Sequence, residues 1–126
     1  MTPRLAVVTT AYVAITLIAI AANAFSGIAA LADFAPIRTG MVQVGVPRSW
    51  VRFPIGTLKT AGAAGLLAGL AGVPYVGVAA AIGLTLFFVC AVYTHVLAAD
   101  YSPQFWLAVG FLFLAVATLT VNVTLR

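Results

Sequence analysis

The sequence predicts an all-α integral membrane protein, an antiparallel four-helix bundle with a polar connection between helices one and two. Three observations carry this. The 126 residues are 64% hydrophobic and only 6% charged, with a mean hydropathy of +1.20. A soluble domain has about 25% charged residues. There is too little polar surface here to cover a water-exposed globule, so lipid must be the outer solvent. Four apolar runs, about 5–31, 54–72, 76–97 and 104–125, each approach the roughly 20 residues a helix needs to cross a bilayer. The second and third connections are short, which makes neighbouring helices antiparallel. One transmembrane domain over residues 1–126 is expected.

The first run is broken only by Thr9, Thr10, Thr16, Asn23 and Ser26. It is longer than a span requires, so the helix tilts or one end leaves the hydrocarbon. Arg4 followed by an apolar stretch and Ala22-Asn23-Ala24 has the pattern of a cleavable leader. The rest of the chain is equally hydrophobic, however, and the run reads as a retained span. Asp33 to Pro54 is the longest non-apolar stretch. Within it Met41–Val46 is too short to span, and reads as a strand-like segment or a short interfacial helix. Trp50 between Arg48 and Arg52 is an interface anchor: the indole sits at headgroup level and the guanidiniums reach phosphates.

Pro54 suits the first turn of helix two, because its missing N–H would be unpaired there anyway. Ala61, Gly65 and Gly69 lie four apart, so they share a face on which another backbone can approach closely. That partner is a helix of the same chain or the seam of a homodimer. Gly72-Val-Pro-Tyr75 reads as a tight turn. Helix three follows, then a polar link holding Asp100, Tyr101 and Ser102, then helix four up to Arg126. The single cysteine, Cys90, excludes a disulfide within the chain and a CxxC pair, and is expected to pack inside.

The net charge is +4. Charge so sparse, and set beside apolar runs, points to lipid headgroups rather than to nucleic acid. The helix order places Asp33, Arg38, Arg48, Arg52, Lys59, His95 and Asp100 at one end of the bundle, with only Arg4 and Arg126 at the other. The positive-inside rule would put the first end in the cytoplasm of a multi-pass cell-membrane protein. The same asymmetry fits a polar mouth or shallow pocket. Lys59 either snorkels back to the interface or turns inward to pair with Asp33, Asp100 or an anionic ligand group. His95 either closes a helix end or exchanges protons with a quinone-like or phenolic ligand. Asp33, Asp100, Arg52 and Tyr93 complete the candidate ligand-binding set. Phe87, Phe88, Trp106, Phe111 and Phe113 read as packing or lipid-facing residues. One histidine and one distant cysteine make no metal site, and there is no nucleophile triad, phosphate loop or paired-carboxylate site. No catalytic residue is assigned.

Val46-Pro-Arg-Ser-Trp50, the run Ile55 to Gly69, Ala79 to Gly83, Ala91-Val-Tyr-Thr-His95 and Asp100-Tyr-Ser102 together resemble the DoxX-like family of small bacterial membrane proteins. The resemblance covers residues 5–125. Phe25-Ser-Gly27 resembles a Phe/Gly motif at the end of the family's first helix, but Ala29-Ala30 stand where a lysine often follows. At Lys59 many relatives carry glutamate. The resemblance implies a four-helix membrane protein of the kind linked to redox complexes, and the family is named after a subunit associated with a thiosulfate:quinone oxidoreductase. On this basis the chain is expected to be an accessory, assembly or anchoring subunit with a membrane redox partner, and not an enzyme on its own. The alternative is a binding module for a quinone, lipid or other lipophilic molecule near Lys59 and His95. A small-drug exporter is the weakest reading, because helix one lacks an embedded acid.

Overall fold

The computed structural model describes residues 2–125, the last by its backbone alone. Arg126, one of the two cations expected at the terminal end, lies outside the described residues, as does Met1. Every regular element among the described residues is helical. Three helices are long and apolar enough to cross a membrane by length and composition.

Helix α1 runs Pro3–Leu31. Thr2 caps it: its hydroxyl accepts from the Leu5 N–H at 3.2 Å, and Pro3 fills the first helical position. It ends where Asp33 adopts a left-handed φ of 57° and the Phe34 N–H returns to the Ala29 carbonyl. This is the usual glycine-type helix stop, made here by an aspartate. Helix α2, Ala35–Gln43, follows at once and closes at Gly45, whose φ is 85°. Of the stretch Met41–Val46, expected to be strand-like or a short helix, Met41–Gln43 is the end of a helix that starts at Ala35, and Val44–Gly45 form a turn.

After a single tight turn at Arg48–Trp50, irregular helical turns occupy Val51–Gly56, interrupted at Phe53 (φ −138°, ψ 127°). A proline bars the residue before it from helical geometry, so the regular helix resumes only beyond Pro54. The Phe53–Pro54 peptide bond is cis. The regular helix α3 is Thr57–Leu70, 14 residues; the start expected at about 54 falls on the irregular turn before it, whose backbone is helical after Phe53. At 1.5 Å per residue it is about 21 Å long, short of a full crossing. Helices α4 (Val76–Leu97) and α5 (Pro103–Leu125) are full length.

Helix α1 packs against α3 and α5, and α4 packs against the same two. Ala19, Leu66, Ala81, Leu84, Phe88 and Ala115 form one buried cluster drawn from all four. Ala30, Val51 and Ile55 form a second, over which α2 lays Ile37 and Met41. Leu17, Ile18, Phe25, Leu86 and Phe113 point outward, as lipid contact requires.

The close contacts are made by small residues. A Cβ on Gly69 would lie 2.7 Å from Gly77 Cα, and one on Gly65 2.8 Å from the Ala80 Cβ. Gly65 and Gly69 therefore face α4 of the same chain, while Ala61 is exposed. A second seam, missed in the sequence, joins α1 to α3: a Cβ on Gly27 would lie 2.8 Å from the Thr60 nitrogen. Cys90, expected inside, is exposed on α4.

A polar contact joins α1 to α5. Asn122 Nδ2 donates to the Thr118 carbonyl at 2.8 Å and to Thr16 Oγ1 at 3.3 Å. Thr16 lies near the middle of α1, yet α5 has only one turn left beyond Asn122. The amino-terminal part of α1 therefore runs past its neighbours, and most of Thr2–Thr10 is exposed.

Gly69→Ala should destabilise the fold by about 1–3 kcal/mol through overpacking against Gly77. Gly83→Ala, with no heavy atom within 4 Å of the new Cβ, should be neutral or stabilising by up to about 1 kcal/mol through helix propensity. Thermal melting of the two variants in detergent, side by side, checks the seam.

Candidate functional site

The polar residues expected in one mouth fall into three separate groups. The first surrounds Asp33. Its left-handed backbone turns the carboxylate toward the following helix, where Arg38 Nη1 donates to Oδ2 at 2.9 Å. Arg48 Nη2, on the far side of α2, donates to the same oxygen at 3.4 Å. Partial burial acts to raise the Asp33 pKa, but the Arg38 hydrogen bond and charge, then those of Arg48, outweigh it and hold the carboxyl below its ordinary 3.8.

The second group closes the α4–α5 link. Ala99 takes a left-handed φ of 51°, and the Asp100 N–H returns to the His95 carbonyl. The Asp100 carboxylate then meets His95 Nδ1 at 3.2 Å, while its Oδ1 accepts from the Ser102 N–H at 3.1 Å. Ser102, through its hydroxyl and N–H beside the carboxylate, is the main cause of a lowered Asp100 pKa, partial burial opposes it, and His95 adds to it. The hydroxyl lies close but forms no hydrogen bond of good geometry. An ionised carboxylate only accepts, so the shared hydrogen sits on His95 Nδ1. His95 is 2% exposed and lies edge-on to Phe105 at 6.2 Å.

The third group is Lys59, and here the expected pairing fails. Lys59 reaches neither Asp33 nor Asp100. It does not snorkel either. Its Nζ bonds Ser26 Oγ on α1 at 2.9 Å and lies 5.6–5.7 Å from the ring centroids of Phe87, Phe88 and Phe111. The α1–α3 seam explains this: the Lys59 Cβ stands 3.0 Å from where a Gly27 Cβ would be, so the side chain emerges between the helices. Rings within about 6 Å attract a cation through their quadrupoles. Three aromatics that read as packing or lipid-facing residues thus line the inner cation. Spacing did not signal this, because the contacts join α3 to α4 and α5.

The remaining candidates stand apart. Tyr93 is exposed on α4. Arg52 is exposed, and its carbonyl accepts from Thr57 Oγ1 at 3.0 Å. Arg48 and Trp50 are exposed on the connection, as headgroup anchors would be. Two shallow open depressions mark the surface. One, about 510 Å³, lies between α2 and the start of α5 and is lined by Thr39, Gly40, Gln43, Ser102 and Gln104 among others. The other, about 370 Å³, lies beside Tyr75, Ile82 and Val123. Neither is lined by Lys59, His95, Asp100, Asp33, Arg52 or Tyr93. Among the described residues no group of three or more His, Cys, Asp or Glu side chains is placed to hold a metal ion.

Compared with known proteins, residues 14–118 match a family model described as the DoxX-like family. No curated protein and no solved structure matches the chain.

The Asp33 cluster makes a pH prediction. A folded pKa below 3.8 means that its stabilisation is present above the unfolded value and is lost as pH falls through the folded one. Asp33→Asn should melt below the wild type at pH 7, and the two curves should converge on acidification below the carboxylate range. A difference that persists at low pH would assign the effect to something other than the ion pairs.

Proposed function

The chain belongs to the DoxX-like family, and on that premise we propose that it is an accessory or anchoring subunit of a redox-linked complex in the plasma membrane. In this reading α1, α3, α4 and α5 form an antiparallel four-helix bundle. The ring of pairings α1–α3–α4–α5–α1 supports it, with the turns at Val51–Gly56 lengthening α3 toward a crossing. The polar connection lies at one membrane face with Arg48, Trp50 and Arg52 among the headgroups.

One observation carries the accessory role. The chain has only two acidic side chains, Asp33 and Asp100, and both are held by neighbours in the same chain. Neither carboxylate lines either of the two depressions described above, where it could act as an acid or base on a substrate. The protein does not act as an enzyme on its own in this reading, and it works through the partner it holds.

A second reading, a binding module for a quinone, lipid or other lipophilic molecule, is favoured by the setting of Lys59. An ionisable side chain inside a membrane is costly, which makes an inward amine without a carboxylate a functional-site hypothesis by default. Its neighbours are three rings and one hydroxyl.

Native mass spectrometry of the protein taken from its own membrane in mild detergent separates the two. A stoichiometric membrane-protein partner is expected, and a chain that never carries one would remove the accessory role. On the second reading a co-purifying lipophile is present in the wild type and lost in Lys59→Met, with helical circular dichroism unchanged. Equal ligand content in the two would remove Lys59 from the site.

A further inference from the structure

Lys59 and Asn23 leave opposite hydrogen-bonding capacity unused on the same inner face. The Lys59 head carries more than one N–H. One is taken by Ser26 Oγ at 2.9 Å. The rings of Phe87, Phe88 and Phe111 meet its charge but accept no conventional hydrogen bond. Asn23 is 1% exposed. Its Nδ2 donates to the Ala19 carbonyl at 2.9 Å, and its Oδ1 has no partner at all. Buried polar atoms are almost always paired, so this one asks for an explanation. Asn23 and Ser26 are three apart on α1, which makes them neighbours on one helix face. A surplus donor and a surplus acceptor thus stand about one turn apart inside the helix packing.

We propose that Lys59 and Asn23 form a binding site for the hydroxyl head of a lipophilic molecule. The hydroxyl oxygen accepts from Lys59 and its hydrogen goes to Asn23 Oδ1. A hydroxyl meets both needs with a single oxygen. A ketone or ether oxygen would serve Lys59 and leave Asn23 unpaired, and a carboxylate would set two acceptors against each other. Phe87 and Phe111 are only partly buried, so the ring wall has an outer side along which a hydrocarbon tail can lie. The inference rests on the lipophile-binding reading above and names the chemistry of its ligand.

Lys59 is the only lysine in the sequence, so its side-chain nitrogen gives a single resonance. The test follows that 15N signal in the full chain, in detergent, as 1-dodecanol or dodecane is added. Dodecanol should produce a saturable shift and dodecane none. Asn23→Leu should weaken dodecanol binding about ten-fold, the worth of one good hydrogen bond. The same variant should melt at or above the wild-type temperature, because it removes an unpaired acceptor. Asn23→Val stands in if the leucine is too large to fold. Equal responses to both probes, or full affinity in the Asn23 variants, would overturn the hydroxyl site and leave a general lipophile site standing. No response to either probe, with the Lys59 protons exchanging with bulk water, would mean that water fills the site, and would sink both readings.

Discussion

The approach of α3 to its two neighbours is the constraint on which the rest of this structure depends. Gly27 and Gly56 let α1 and α3 touch at the backbone, and Gly69 meets Gly77 where α3 turns into α4. Lipid offers helices no hydrophobic reason to associate, so packing at this range must supply it. A short helix held on both sides in this way cannot rotate. Lys59 is therefore fixed in direction, between Ser26 on one helix and three phenyl rings on two others. The glycines position the cation, and the rings at that level of α4 and α5 surround it.

The two acidic residues follow a different logic. Each sits at a helix end in or beside a left-handed residue, Asp33 itself and Ala99 before Asp100. Each is answered from nearby in sequence, by Arg38 and by His95, both five residues away. Local pairs of this kind close the ends of helices before any long-range contact is needed. Lys59 is paired across 33 residues instead, so its place depends on the whole packing.

That difference in range decides what the sequence could reveal. Membrane character, the long helices and the shared small-residue face of Gly65 and Gly69 rest on composition and spacing, which are local quantities; that this face meets α4 of the same chain came only from the packing. Pro54 was legible as a helix start: Phe53 before it is the one non-helical residue inside Val51–Gly56, and helical backbone runs on from there into α3. What the sequence did not show is that the turns around it, Val51–Gly56, are irregular before the regular helix begins at Thr57. Lys59 was legible as an unusual residue but not as one separate from Asp33 and Asp100, since charge suggests a counterion and quadrupoles leave no mark in a charge count. Asn122 and Thr16 were invisible as a pair, because 106 residues separate them.

The reach of α1 has a consequence for the surrounding bilayer. Its 29 residues make a rod of about 43 Å, against a hydrocarbon slab of about 30 Å. Its partners stop well before it does. The protein therefore offers lipid a tall flank on one side and a low flank on the other, like a wedge set on edge. Mismatch of this kind carries a modest energy for each ångström. The excess is taken up either by tilt or by carrying the amino-terminal turns of α1 out of the hydrocarbon, so the bilayer beside this one helix differs from that beside the others.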